Sequence, residues 1–355
     1  MKQEIIAAAL LLGIHSPARA DALAKPATVL APSEIVAAAP KADWVGIAAS
    51  DLLVMDLAPD AKGKARRVVI QLMPASFSQG WVGNIRKLAT AHWWDGLSVN
   101  RVQDNYVVQW GDADGEDKLK ARALPKGLAV VQEAAYRTPY SAAMFGSRWS
   151  FGGRVEARLE MTPTTVPDPS WTGFGDPYAK SFAFSGGFPV AMTLRADIER
   201  TFDERTRTYY GKYLDVPAEV WPTHCYGMVG VGRDMPPNTG TGAELYTVIG
   251  HAPRHLDRNI ALVGRVIEGI ENLSSLPRGT GALGFYETPG ERTPIVSVRL
   301  GNEVAGLVAY EYLSTESLSF AKYADARANR RDPFFIRPAG GADVCNIPVP
   351  VRRVK

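Results

Sequence analysis

Residues 92–112, HWWDGLSVNRVQDNYVVQWGD, set an arginine among apolar and aromatic residues at alternating positions. Such alternation suits a β-strand, whose successive side chains point to opposite faces. Val99, Arg101 and Gln103 are expected on one face. After a turn at Asp104-Asn105, Tyr106, Val107 and Gln109 open a second strand. A guanidinium keeps its charge, so burying Arg101 between Val99 and Val102 is costly unless it borders a cavity that holds an acceptor. The pattern by itself also fits an arginine on an exposed strand face, and favours that plainer reading.

Other chemistry finds little support. Gly279-x-Gly281-x-x-Gly284 matches the dinucleotide fingerprint in letters, but it follows Leu-Pro-Arg rather than a strand and no helical pattern follows it. It reads as a loop. His251 and His255 have the i, i+4 spacing of metal ligands on a helix. Pro253 between them and the missing glutamate argue against a zinc protease site. No G-x-S-x-G elbow is present, so a serine hydrolase lacks its nucleophile. Two cysteines, Cys225 and Cys345, are too few and too far apart for zinc. They are read equally well as one disulfide or as two buried thiols.

The elements that would position Arg101 follow from the flanking sequence. Residues 51–57 (DLLVMDL) and 67–72 (RVVIQL) are apolar runs separated by turn signals, a predicted hairpin. Over 78–90, Trp81, Val82, Ile85, Leu88 and Ala89 recur at helical spacing. Asp95-Gly96 then turns the chain into the arginine strand.

Three blocks carry a family resemblance. DGLSVNRV followed by YVVQWGD resembles the cyclophilin turn, arginine strand and glutamine strand. PNTGTGAELYTVIG at 237–250 resembles its PNT loop and following strand. LDRNIALVGRVIEG at 256–269 resembles its LDG segment and next strand, and all three come in family order. The chain is identified on these residues as resembling a cyclophilin-type peptidyl-prolyl cis-trans isomerase. The resemblance implies a mainly β fold, a closed eight-stranded antiparallel barrel capped by two helices. Here it would carry a large insertion and a C-terminal tail.

Carried over residue by residue, the resemblance makes Arg101 the catalytic arginine and Gln109 the glutamine that holds it and the substrate backbone. Tyr106, Val107, Tyr246 and Leu256 match the wall of the proline pocket, and His255 stands where tryptophan is common. Gly232 and Arg233 match backbone contacts of the bound peptide. Glu244 takes the place of a glutamine and Ile260 that of a histidine; both belong to the expected substrate site. Asn100 replaces the histidine before the arginine. Trp110 replaces a glycine and is expected to add bulk beside the site. The hydroxyls of Tyr106 and Tyr246 need partners or water. The family reaction needs no metal or cofactor. Its partners are proline-containing polypeptides, and a monomer is the family default. A rival reading, motivated by Trp110 and the insertion, is a weakly catalytic binding module or chaperone on the same scaffold.

The whole chain has 355 residues with a formal net charge of +3, which predicts neither a nucleic-acid footprint nor an acidic tail. Residues 1–20 read as a leader: Lys2, an apolar run over 5–14, and Ala18-Arg19-Ala20 as the cleavage site. Export to a bacterial periplasm with cleavage after Ala20 is expected, and the apolar run is too short to span a bilayer. Residues 21–50 form an Ala/Pro-rich linker in which Ser33 is expected to cap a helix over 34–39. The cyclophilin-like domain is expected over 51–304 and a C-terminal extension over 305–355. Within the domain, 113–224 is an insertion elaborating the barrel. In it, 129–135 and 153–161 are candidate strands, 162–176 is irregular, and 198–207 is candidate helix. Further strands are expected over 226–231, 244–249, 262–267 and 292–300, and a helix within 314–329.

Overall fold

The computed structural model describes residues 29–145, 178–179, 181–203 and 208–354. Eight strands close into an antiparallel barrel. They are β2 (Leu52–Leu57), β3 (Arg66–Leu72), β4 (Ser98–Val102), β5 (Val107–Gly111), β10 (Met228–Val231), β11 (Leu245–Val248), β12 (Leu262–Glu268) and β13 (Thr293–Leu300). Around the ring the order is β10-β11-β5-β4-β13-β2-β3-β12, and β12 returns to β10. Closure leaves this sheet without an open edge. Leu53, Met55, Leu57, Val68, Ile70, Val108, Trp110, Leu245 and Val298 point into it. The helix α2 (Gln79–Thr90) buries Trp81, Val82, Ile85, Leu88 and Ala89 against this core, the stripe that its sequence spacing predicts. A short helix α3 (Glu271–Ser274) contributes Leu273.

Two further sheets lean on the barrel. The first contains β1 (Trp44–Ile47), β14 (Tyr310–Leu313) and β15 (Val351–Arg353), so the segment before the barrel and the tail after it are hydrogen-bonded to each other. Ile47 and Tyr310 cover Leu52, Val54 and Val69 on the outer side of β2 and β3. Helix α1 (Pro32–Ala37) packs on α4 (Leu318–Ala328). The second sheet is formed by β6 (Thr138–Pro139), β7 (Ser181–Ser185), β8 (Phe188–Asp203) and β9 (Thr208–Pro222), in the order β6-β9-β8-β7. Its Phe182, Phe184, Phe188, Val190 and Met192 belong to the same buried cluster as the barrel interior. Arg265 of β12 ties all three sheets together. Both its Nε and Nη2 donate to Gln71 Oε1, at 3.0 and 2.8 Å, and its guanidinium lies 4.9 Å from the Phe188 ring and 5.9 Å from the Tyr312 ring.

Cys225 and Cys345 form a disulfide that fastens the tail beside β10. Three expectations are corrected. Residues 129–135 are not a strand: Asn84 of α2 holds both backbone groups of Ala129, accepting from its N–H at 2.7 Å and donating to its carbonyl at 2.9 Å, so they join no ladder. A 3-10 turn, Glu133–Tyr136, follows. Residues 198–203 are strand rather than helix, paired with β9 from Ile198↔Tyr213 to Asp203↔Thr208. Ser33 lies inside α1, whose N-cap is Ala31; Glu34 accepts from the Ala31 N–H at 2.7 Å. The leader at 1–20, the candidate strand at 153–161 and the irregular run at 162–176 lie outside the described residues.

Candidate active site

The hairpin β4–β5 turns at Asp104-Asn105, with Asn105 in the left-handed region at φ 50°. Its register slips between Val99, opposite Trp110, and Arg101, opposite Gln109. The extra residue, Asn100, makes a β-bulge, which reverses the alternation of faces beyond it. Val99 and Val102 therefore both enter the core, three residues apart, and Arg101 points outward with Gln103. The expected shared face of Val99 and Arg101 is corrected by this bulge. On β5, Val107 and Gln109 face out while Val108 and Trp110 face in. Trp110, only 1 % exposed, fills the barrel and adds no bulk beside the site.

Arg101 is half-buried and held from three sides. Its Nη1 donates to Gln109 Oε1 at 3.3 Å, its Nη2 to Gln103 Oε1, and its Nε to the Leu283 carbonyl at 2.8 Å. The guanidinium lies 5.8 Å from the Tyr106 ring and 5.1 Å from that of Phe285, within cation–π range. Burial lowers its pKa and Tyr106 raises it; an arginine so placed stays cationic. Leu283 and Phe285 come from the glycine motif. Gly279 N–H donates to the Val102 carbonyl and Tyr286 N–H to that of Asn100, both at 3.0 Å, with Arg101 and Phe285 bridged between them. A Cβ on Gly279 would lie 2.0 Å from the Gly284 carbonyl, and one on Gly284 2.7 Å from that of Val102. Gly284 lets this loop lie flush against β4, while Gly279 and Gly281 let it fold back on its own residues 284–287. The loop brings Leu283 and Phe285 to the arginine.

Next to Arg101 an apolar cluster covers the outside of β5 and β11. Val107, Tyr246 and Val248 are buried, with Tyr106 and Ile260 packed against them. Tyr246 stands opposite Gln109 in the ladder. Its hydroxyl meets His224 Nε2 at 2.8 Å, and His224 Nδ1 meets Asp257 Oδ1 at 2.9 Å. Burial lowers the His224 pKa, against the pull of Asp257, and raises that of Tyr246 well above its ordinary value. Burial also works to raise the Asp257 pKa, but the bonds from His224 and the charge of Arg254 outweigh it and hold that carboxyl low.

Glu244 sits beside Gln109 and Asn100 at the start of β11. Its Oε1 accepts from the Asp112 N–H at 2.6 Å, and its backbone carbonyl from Gly232 N–H at 2.8 Å. Burial pushes its carboxyl up to about 7. At Gly232 a Cβ would come within 2.9 Å of Glu244 Cβ. The loop before β11 is pinned from the helix side, where Trp81 Nε1 donates to the Gly240 carbonyl at 3.0 Å and Trp94 Nε1 to that of Ala243 at 2.8 Å.

The structure thus brings together Arg101, Gln109, Tyr106, Val107, Tyr246, Ile260, Glu244 and Gly232. Arg233 is turned to backbone, donating to the carbonyls of Asn259 at 3.0 Å and Asp234 at 2.7 Å. His255 and Leu256 belong to the 3-10 turn Arg254–Leu256, His255 exposed and Leu256 half-buried. Sequence reasoning placed Gln103 on the arginine's face, as observed, but missed Phe285, Val248 and His224. Only Phe285 left a trace, as the aromatic following the glycine motif.

No protein-family model matches the sequence, and comparison with curated proteins finds no match. Among solved structures, the chain is similar to a cyclophilin, AquaCyp293, from Hirschia baltica. The TM-score is 0.55 at 21% identity, covering 87% of this chain and 93% of that one. A cyclophilin-type peptidyl-prolyl cis-trans isomerase of Cryptosporidium parvum matches with TM-score 0.36 at 10% identity, over 70% of this chain and 97% of that one. The same protein in the presence of the dipeptide Ala-Pro gives 0.33 at 10% identity. The barrel, its strand order and the likeness to the Hirschia protein together show that this chain has the cyclophilin fold.

Proposed function

We propose that this chain is a peptidyl-prolyl cis-trans isomerase acting on proline-containing polypeptides. The observation that carries the reading is a cationic arginine, braced by Gln109, set on the barrel's outer face beside the apolar cluster of Tyr106, Val107, Tyr246, Val248 and Ile260. Rotation about an X-Pro amide faces a barrier of about 20 kcal/mol, because C–N resonance is lost as the bond twists. The twisted prolyl nitrogen becomes pyramidal and gains a lone pair. A fixed N–H donor aimed at that atom binds the twisted state more tightly than either planar one, which lowers the barrier. A guanidinium carries five N–H donors in a rigid fork, and the bonds to Gln103, Gln109 and Leu283 use three of them. Those bonds orient the fork and leave donors for substrate. The apolar cluster supplies the surface for the proline ring, and Gln109 a carboxamide for the flanking backbone.

The leader pattern at 1–20 and a disulfide between the two cysteines both suit an exported protein, so periplasmic polypeptides are the proposed substrates. The binding-module reading loses one of its two motives, since Trp110 lies in the core. A protease-free isomerisation assay on an Ala-Pro peptide tests the proposal. The wild type should accelerate exchange, and Arg101→Ala should lose roughly 100-fold or more, the usual cost of removing one such donor. Equal rates in the two proteins would favour the binding module.

A further inference from the structure

Behind the apolar cluster runs a buried polar chain that the arginine chemistry does not use. Asp257 Oδ1 lies 2.9 Å from both the backbone nitrogen and Nδ1 of His224, and Oδ2 lies 2.6 Å from Arg254 Nε. An ionised carboxylate only accepts hydrogen bonds, so His224 carries its proton on Nδ1. Its Nε2 lone pair then accepts the hydroxyl proton of Tyr246 at 2.8 Å, with the two ring planes within 12° of parallel. Geometry around Tyr246 is built for this reach. Gly230 stands opposite it on β10, and a Cβ there would lie 2.3 Å from the phenol oxygen. The phenol passes over the glycine, and its hydroxyl ends on buried His224.

We propose that His224, oriented by Asp257, is a positioning residue that sets the Tyr246 ring in the wall of the proline site. The inference deepens the isomerase reading and rests on it. A phenylalanine at this place would be held by packing alone. The tyrosine is anchored at both ends, by β11 through its backbone and by His224 through its oxygen. Because Tyr246 pairs with Gln109 and touches Val107, a tilt of its ring alters the surface on which a proline would rest. General acid–base chemistry is no use for this chain, since rotation of an amide transfers no proton and the Tyr246 hydroxyl is sealed in the interior. The far end of the chain is also fixed. Arg254 Nη1 lies 3.7 Å from Asp343, whose Oδ1 accepts from the N–H of Cys345 at 2.8 Å, and Cys345 is bonded to Cys225, the neighbour of His224.

The test is a double-mutant cycle on steady-state isomerisation of an Ala-Pro peptide, using wild type, Tyr246→Phe, His224→Ala and the double variant. Tyr246→Phe removes one oxygen, and its fold is checked by near-ultraviolet circular dichroism. The wall binds the proline ring in planar and twisted states alike, so the loss should fall on KM, raised about fivefold, with kcat within about twofold. The double variant should be no worse than the worse single one, because both remove the same bond. An active wild type whose KM is unmoved by Tyr246→Phe, or two losses that multiply in the double variant, would overturn the inference. A wild type without activity would overturn the isomerase reading and this one with it, and shows in the wild-type arm alone.

Discussion

Replacing Glu244 by glutamine should make the protein's stability less sensitive to pH in a calculable way. The carboxyl lies across Gly111, where a Cβ would come within 2.1 Å of it, and beside Asp112, whose N–H it accepts at 2.6 Å. Burial is the largest influence and drives its pKa from 4.5 to about 7, helped by the charge of Asp112 and opposed by the bonds from the Asp112 backbone, Asn100 and Gln109. In the unfolded chain the carboxyl ionises near 4.5; in the folded one it holds its proton to about 7. Between these values the folded state binds more protons, so the group's contribution is full below about 4.5 and is lost as pH rises through 7. A rise from 4.5 to about 7, at 1.36 kcal/mol per pH unit, gives a loss of about 3 kcal/mol by pH 8.5. Glutamine keeps an oxygen for the Asp112 N–H and never ionises. Urea unfolding of wild type and Glu244→Gln across about pH 4.5 to 8.5 measures the difference. The variant should gain on the wild type by about 3 kcal/mol over that range, with unchanged m-values. A difference that stays constant with pH, or one that grows in the wild type's favour, would refute the reasoning.

Two other perturbations address the parts that hold the site. Cys345→Ser opens a loop of 120 residues, and the chain-entropy argument caps the loss at about 5 kcal/mol; thermal unfolding with and without dithiothreitol should show the wild type falling toward the variant. Gly284→Ala places a side chain at φ +80° and within 2.7 Å of the Val102 carbonyl, so the loop must lift from β4 and take the Leu283 carbonyl off Arg101. It should cost about 2 kcal/mol of stability and lower kcat/KM about tenfold, read in denaturant unfolding and the peptide assay.

The parts of the fold written in local pattern were legible in the sequence. The apolar runs of β2 and β3, the helical stripe of α2 and the Asp95-Gly96 and Asp104-Asn105 turns all use short-range chemistry. Faces were less so. One inserted residue, Asn100, inverts the alternation, and nothing in VNRV announces it, so Arg101 was assigned with Val99 and Trp110 placed at the site. The charges over 198–207 suggest a helix; the strand state of 198–203 depends on pairing with a partner at 208–213, which local propensity does not record. The bond from Tyr246 to His224 spans 22 residues and that from His224 to Asp257 spans 33, so no motif joins them. The need was visible, since a buried tyrosine hydroxyl requires a partner; its identity was not. The glycine spacing at 279–284 is visible in the sequence; its use, a loop folded tightly on itself with Gly284 against β4, emerges only from the fold.

The central claim is that Arg101 speeds rotation rather than merely gripping the peptide. Line-shape nuclear magnetic resonance on an Ala-Pro peptide titrated with wild type and Arg101→Ala separates the on-protein exchange rate from Kd. The account predicts that exchange falls by about 100-fold or more while Kd changes by less than about fivefold. Exchange that persists at the wild-type rate, or that disappears only in proportion to lost binding, would contradict it.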